Sequence, residues 1–231
     1  MTRRRNKALG APSFASEAEL CAAFTEFARN RGWAVHPETS DFDLLLVWDK
    51  EMGHPQSRGD VVGVQAKMRP SLELLAQAKP RWMAATGPDF HVLVVPQASG
   101  PFLAVAQALG LSVSTPGYYG WNLTLGQRHH YPKRPWYPEV PVEMEAGVPS
   151  PRSVTKWKVT AVRLCLHGLR RGYVTSADFG DFGISMGRWV DAGWIQDTGT
   201  KEGKLKKYRI TAEAPHTKYP EITASVAKEK T

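Results

Sequence analysis

The stretch that decides the fold is Asp60-Val61-Val62-Gly63-Val64-Gln65-Ala66-Lys67-Met68. Its apolar residues form an almost continuous run, which is typical of a strand that is covered on both faces. Gln65 and Lys67 interrupt the run two residues apart, and the two-residue period of a strand predicts that both side chains project from one face. Polar groups in a buried strand cost free energy unless they are paired or bound to a ligand. The pattern therefore predicts a site at this end of the strand.

The surrounding elements alternate between helical and extended patterns. Ser16 and Glu19 form an S-x-x-E capping box that begins a helix, and Gly32 ends it. The remaining patterns predict strands at 33–36, 42–48, 60–68 and 91–95, and helices at 72–79 and 102–109. This order predicts an α/β domain over 16–125, with one mixed central sheet flanked by helices.

A proline-rich segment follows this domain. Six prolines lie within 126–152, and each one fixes φ and removes a backbone donor. We therefore expect an extended linker there, anchored by Trp136 and Tyr137. Residues 1–15 are predicted to be a basic N-terminal tail and residues 216–231 a flexible C-terminal tail.

The segment 153–215 has a different pattern. Three helical patterns are followed by two short strands at 194–196 and 207–211, and this is the order of a small winged helix-turn-helix domain. In such a domain the third helix faces the major groove and the hairpin contacts phosphates. The candidate DNA-binding residues are Ser185, Arg188, Lys201, Lys204, Lys206, Lys207 and Arg209. The third helix spans barely two and a half turns, so contacts with the backbone alone, or a role in protein interaction, stay open.

Charge and composition narrow the function classes. The net charge is +8, and the residues from Pro151 onward carry +7 of it, which favours a nucleic acid partner over a membrane. The longest apolar runs, 44–48 and 92–95, are too short to span a membrane. The basic N-terminus is not followed by the apolar region of a secretory signal. Cys21 and Cys165 lie in apolar helical patterns and are expected to be reduced residues of the core. We therefore expect a cytoplasmic location and no structural zinc site.

The chemistry of the predicted site is that of phosphodiester hydrolysis. Asp43 begins an apolar strand, and a hairpin register would bring it beside Gln65. The Asp43 carboxylate, the side-chain oxygen of Gln65 and the carbonyl of Ala66 are oxygen ligands suited to a hard divalent cation. Lys67 would orient and help deprotonate the attacking water, or offset charge in the transition state. Glu38 and Glu19 are further carboxylates within reach of this edge.

Residues 16–116 resemble the PD-(D/E)xK nuclease superfamily, and most closely its Mrr-like restriction endonuclease branch, in which Q-x-K is a frequent third motif. The matching residues are 16–20 on the first helix, Glu38 and Asp43, Val64-Gln65-Ala66-Lys67, and 72–77 on the next helix. The resemblance implies a restriction-endonuclease-like core, dependence on Mg²⁺ with Mn²⁺ as a possible substitute, and double-stranded DNA as substrate. Cutting both strands would fit a homodimer. Gln65 stands where an acidic residue is usual, which lowers the negative charge that recruits a metal.

Other interpretations stay open for each site residue. Glu19 can serve only its capping box, Asp43 can bind only a backbone N–H, and Lys67 can point into solvent. Glu38, beside Pro37, can be a turn residue. The main alternative function is a catalytically inactive nuclease-fold protein that binds DNA or protein as a regulator. A nuclease that acts on RNA is a third possibility.

Overall fold

The structure is a computed structural model that describes residues 13–48, 59–78, 87–117, 120–129, 136–138, 141–142, 144–147 and 153–228. The predicted basic tail lies outside these residues except for 13–15. The chain divides into two compact units, Met1–Ser153 and Val154–Thr231. This boundary falls next to the predicted start of the second domain at 153.

Unit 1 contains one five-stranded sheet with helices packed against it. Its elements in chain order are α1 (Glu17–Asn30), β1 (Trp33–Thr39), β2 (Phe42–Trp48), β3 (Val61–Ala66), α2 (Leu72–Ala78), β4 (Phe90–Val94), α3 (Gly100–Ala108), β5 (Ser112–Ser114) and a small ribbon of β6 (Pro116–Gly117) and β7 (Gly120–Trp121). The strand order is β1-β2-β3-β4-β5, antiparallel as far as β3 and parallel from β3 to β5. The predicted mixed α/β sheet flanked by helices is confirmed, with β5 as an unpredicted edge strand.

The central strand β3 is buried along its whole length. Val62, Val64 and Ala66 pack in one apolar cluster with Leu20 and Phe24 of α1. A second cluster contains residues of α2, α3 and β4, among them Leu74, Leu93 and Ala106. The sheet is therefore covered by α1 on one face and by α2 and α3 on the other, as the run of apolar residues in β3 predicts.

A tight turn joins β1 to β2 directly beside the end of β3. Thr39 pairs with Phe42, which leaves Ser40 and Asp41 as a two-residue loop. Both loop residues have positive φ, 55° for Ser40 and 68° for Asp41, as a type I′ hairpin turn requires. Glu38, just before the turn, also has a positive φ of 45°. Left-handed backbone in three non-glycine residues is unfavourable, and such conformations cluster at functional sites.

The predicted linker over 126–152 is wrong for the residues that are described there, because they pack on unit 1. Arg128 forms ion pairs with Asp60 at 2.5 Å and Asp89 at 2.8 Å, and Ala146 joins the apolar cluster of α1. The expected anchoring is confirmed, since the rings of Trp136 and Tyr137 contact those of Phe42 and His36. Proline-rich sequence therefore does not prevent the described residues of this segment from packing on the domain.

Unit 2 contains three helices followed by a hairpin, in the predicted order. The elements are α4 (Lys156–Arg171), α5 (Ser176–Asp181), α6 (Met186–Asp191), β8 (Ile195–Glu202), β9 (Leu205–Ile210), α7 (Pro215–Lys218) and α8 (Pro220–Lys228). The two strands are longer than predicted. The apolar core of unit 2 contains Leu164, Phe179 and Trp189. No helix in the described ranges is both long and apolar enough to cross a membrane.

The predicted flexible tail over 216–231 is wrong for the residues that form α7 and α8. Ile222 and Val226 of α8 are each only 4% exposed. Their spacing of four residues places them on one face of the helix, and this face is buried. The apolar pattern consists of only these two residues among polar ones, so the sequence alone does not predict a packed helix.

Gly168 of α4 gives a test of the packing in unit 2. A Cβ atom at this position would lie 2.5 Å from Cγ1 of Val174 and 2.9 Å from Cγ1 of Ile210. We expect Gly168→Ala to lower the free energy of unfolding by about 1–3 kcal/mol, because the core has no room for the methyl group. The control is Gly187→Ala in α6, where nothing lies within 4 Å of the added atom. Urea unfolding of the full chain measures both variants, and equal stability of Gly168→Ala and the unchanged protein would contradict the described packing.

Candidate active site

Lys67 pairs with the first turn of α1. The strand β3 ends at Ala66, and the Nζ atom of Lys67 lies 2.8 Å from Oε2 of Glu17. Both side chains are about one third exposed, 35% for Lys67 and 30% for Glu17. The ion pair therefore lies at the rim of the sheet, on the side covered by α1.

Gln65 projects from the opposite face of the sheet. Its neighbours Val64 and Ala66 pack on the α1 side, whereas its partner Leu93 in β4 packs with α2 and α3. The prediction that Gln65 and Lys67 project to the same spot is wrong, because Gln65 bonds to the β1–β2 turn whereas the long Lys67 side chain reaches Glu17 of α1. The Nε2 atom of Gln65 donates to the carbonyl oxygen of Asp41 at 2.7 Å. This bond fixes the amide and turns its oxygen away from the β1–β2 turn.

Asp43 lies beside the end of β3, as the hairpin register predicts. The pairing between β2 and β3 ends with Leu44 opposite Val64, so Asp43 and Gln65 are the next residues along the two strands. The Oδ2 atom of Asp43 accepts a hydrogen bond from the Ala66 N–H at 2.7 Å. Burial raises the pKa of Asp43 above its usual value, although this bond and the charge of Lys67 act in the opposite direction. The folded protein thus holds a carboxylate that is costly to ionise.

Glu38 lies at the same edge and is held by a distant segment. Its Oε1 atom accepts a hydrogen bond from the Gly147 N–H at 2.8 Å. Burial raises the pKa of Glu38, the Gly147 bond and Lys67 lower it, and Asp43 raises it further. Glu38 therefore experiences the charges of both Asp43 and Lys67.

Glu19 is placed differently from Glu17. Its carboxylate accepts a hydrogen bond from the Ala15 N–H at 2.6 Å, and its own N–H donates to Oγ of Ser16. Glu19 is exposed and serves the capping interaction, and the carboxylate of α1 that contacts Lys67 at the sheet edge is Glu17. Helical spacing contains the missed signal: Glu17 precedes the buried Leu20 and Cys21 by three and four residues, so it lies on the buried stripe.

The charged groups converge around the thiol of Cys21, which is fully buried on α1. Burial raises the pKa of this thiol, and the carboxylates of Asp43, Glu38 and Glu17 raise it further, whereas Lys67 lowers it. Three carboxylates and one ammonium therefore act on the same buried atom. This excess of negative charge at the end of β3 favours the approach of a cation.

The oxygen donors at the sheet edge fit a hard metal ion in their chemistry. Within the described ranges, no three or more His, Cys, Asp or Glu side chains are arranged to hold a metal ion. The predicted set has a different composition, because it combines the Asp43 carboxylate with the Gln65 amide oxygen and the Ala66 carbonyl. Oδ2 of Asp43 accepts a hydrogen bond from the backbone, so Oδ1 is the oxygen of this side chain suited to a ligand role, whereas the Gln65 amide is bonded to Asp41 and lies on the other face of the sheet.

The candidate DNA-binding residues of α6 lie on the surface of unit 2. Ser185 is the N-cap of α6, and both Ser185 and Arg188 are exposed. The helix has only six residues, and its Trp189 is fully buried. Most of this short helix is open to a partner, since Gly187, Arg188, Val190 and Asp191 are exposed.

The basic residues of the hairpin fall into two groups. Lys206 pairs with Asp197 at 3.1 Å, Lys207 lies 4.0 Å from the centre of the Tyr173 ring, and Arg209 donates to Gln196. Lys201 and Lys204 are exposed near the tip, where Gly203 with a φ of 58° begins the two-residue turn. The tip therefore presents its lysines to solvent, and the neighbouring Asp197 offsets the charge of Lys206.

Comparisons with known proteins find no match for this chain among family models, curated proteins or solved structures. The likeness of residues 16–116 to PD-(D/E)xK nucleases therefore remains a resemblance in residue pattern.

Replacing Asp43 tests whether its carboxylate stabilises or destabilises the folded protein. The pKa of Asp43 is higher in the folded protein than in the unfolded chain, so the ionised carboxylate destabilises the fold once the pH exceeds both values. We expect Asp43→Asn to unfold at a higher urea concentration than the unchanged protein at about pH 7, with the difference shrinking towards about pH 3, where the carboxylate is protonated. The matched control is Asp181→Asn at an exposed position of α5. A loss of stability in Asp43→Asn at neutral pH would identify the bond to Ala66 as the main role of Asp43.

Proposed function

We propose that the protein is a metal-dependent DNA endonuclease that hydrolyses phosphodiester bonds at the end of β3. The observation that carries this proposal is the convergence of Asp43 with the Lys67–Glu17 pair and Glu38 at one rim of the sheet. Polar groups at a buried strand end are costly, and two of these carboxylates have raised pKa values. Sites that bind metal or perform acid–base chemistry concentrate such groups.

Lys67 is proposed to act as a cation that stabilises the transition state. Burial lowers the pKa of Lys67, but the hydrogen bond and charge of Glu17, together with the charge of Asp43, outweigh it and raise the pKa overall. The ammonium therefore stays protonated at neutral pH. Of the two roles open to this lysine, offsetting charge on the phosphate agrees with the raised pKa, and removal of a proton from water does not. Glu17 holds the ammonium in position.

Asp43 and the carbonyl of Ala66 are proposed to hold Mg²⁺, with Mn²⁺ as a substitute; the Gln65 amide, which lies on the other face of the sheet and bonds to Asp41, is not included in this set. The bound cation would lower the pKa of a coordinated water and neutralise charge on the phosphate. Because Asp43 is the one carboxylate of this set, the set carries one negative charge fewer than a pair of carboxylates. Millimolar metal is therefore expected to be needed for full occupancy.

Unit 2 is proposed to be a winged-helix domain that contacts double-stranded DNA. Its order of three helices and a hairpin supports this, as does the +7 charge of the chain from Pro151 onward. Ser185 and Arg188 of α6 would face the groove, and the lysines of the hairpin tip would contact phosphates. A homodimer would supply two sites for cutting both strands.

An inactive nuclease-fold protein that binds DNA or protein as a regulator is the second candidate. The observation in its favour is that the polar groups of the site already satisfy one another: Lys67 with Glu17, and Oδ2 of Asp43 with the Ala66 N–H. A site used only for packing needs no more than this. The two candidates differ in whether phosphodiester bonds are broken.

A plasmid cleavage assay with metals varied decides between them. We expect nicking with Mg²⁺ or Mn²⁺, loss of nicking with a chelator, and a decrease of about 100-fold or more in Lys67→Ala, because the transition state loses its cation. The matched control is Gln77→Ala on the exposed side of α2, which should cleave as the unchanged protein does. Glu17→Gln should retain part of the activity, because Lys67 remains but loses its anchor. Protein that shifts DNA on gels yet never nicks it at any metal concentration would establish the regulator.

The hairpin tip is tested separately through the salt dependence of binding. Replacing both Lys201 and Lys204 by Ala should reduce the slope of log K against log salt concentration by about two, because each phosphate contact contributes about 0.9. Fluorescence anisotropy with a short labelled duplex measures the slope. Lys206→Ala is the matched control, and its effect should be smaller because Lys206 already pairs with Asp197. Equal slopes for the double variant and the unchanged protein would exclude phosphate contacts at the tip.

A further inference from the structure

The indole of Trp157 in unit 2 is partly exposed to solvent. Trp157, in the first turn of α4, is 43% exposed, whereas Trp189 of the same unit is fully buried. The Trp157 ring lies 6.1 Å from the ring of Trp194, which packs against the core just before β8. The two indoles thus form an aromatic surface with its inner ring fixed and its outer ring accessible. A large aromatic side chain exposed in this way is a candidate for ligand contact.

A lysine lies at this surface and restricts what it can bind. The Nζ atom of Lys218, on α7, lies 5.2 Å from the centre of the Trp194 ring. This ammonium group repels a cationic ligand, although aromatic surfaces otherwise attract cations. A ligand that carries both a flat ring and negative charge matches the aromatic face and the lysine together.

We propose that Trp157, Trp194 and Lys218 bind single-stranded nucleic acid, with an unpaired base stacked on Trp157 and a phosphate near Lys218. A base offers a π-face to the indole, and its phosphate pairs with the ammonium. In a duplex the bases stack on one another and their faces are not accessible, so this surface selects unpaired strands. The proposed site goes beyond the nuclease function, since it concerns recognition of strand form by α4 and α7 and requires no hydrolysis at Lys67.

Binding of a labelled thymidine oligonucleotide, followed by fluorescence anisotropy, tests the site. We expect Trp157→Ala to weaken binding of the oligonucleotide about tenfold through lost base stacking. Binding of a duplex by the same variant should stay unchanged. Leu169→Ala is the matched control, because Leu169 is an equally exposed apolar residue of α4, 48% exposed, that has no aromatic ring. Trp157→Phe keeps a π-face and should restore most of the affinity.

An abasic oligonucleotide of the same length separates stacking from attraction to the backbone. The unchanged protein should bind the abasic strand about as weakly as Trp157→Ala binds the thymidine strand. Lys218→Ala should weaken both strands and reduce the salt dependence. The proposal is overturned if Trp157→Ala binds the thymidine strand as the unchanged protein does, or if the abasic and thymidine strands bind equally. Because none of these measurements depends on cleavage, an inactive protein that still passes them would refute the proposed nuclease and leave this site in place.

Discussion

The burial of β3 on both faces is the constraint from which the candidate site follows. A strand that is fully covered can tolerate polar groups only where it ends, and there each polar group has to find a partner. The Ala66 N–H binds Asp43, the Gln65 amide binds the Asp41 carbonyl, and Lys67 reaches Glu17. Each partner comes from a different neighbour: β2, the β1–β2 turn and α1. The edge of the sheet is thereby fixed from three directions.

The same edge collects more acidic groups than packing alone requires. Glu38 and Asp43 both have pKa values raised by burial, and each also experiences the charge of Lys67. A protein gains no stability by keeping such carboxylates partly desolvated, so their presence fits a site where stability is given up for function. At the other end of β3 the buried acids Asp60 and Asp89 share Arg128, which neutralises one acid and holds the covering segment, although burial raises the pKa of Asp89 as well. The two ends of one strand thus show two ways of handling buried charge.

The sequence predicts the architecture better than the fine geometry of the site. Periodicity and caps predict α1, the sheet and the helix–hairpin order of unit 2, because apolar spacing follows directly from burial. Alternation does not report where a long side chain ends, so Gln65 and Lys67 contact different neighbours. The capping box points to Glu19 and not to Glu17, although the spacing of Glu17 from Leu20 and Cys21 contains the signal. The packing of α8 and of the described residues between 126 and 147 depends on long-range contacts that no local pattern reports.

The bond between Glu38 and the Gly147 N–H joins residues 109 positions apart, so the acidic edge depends on a segment far along the chain. Gly147 has a φ of 76°, and a Cβ atom there would lie 2.7 Å from the Glu17 carbonyl oxygen, so this backbone rests directly on the start of α1. A chain cut between β5 and Gly147 would keep every strand of the five-stranded sheet but would lack the N–H that Glu38 binds. Truncation at that point would therefore change the acidic edge without removing any strand that carries it.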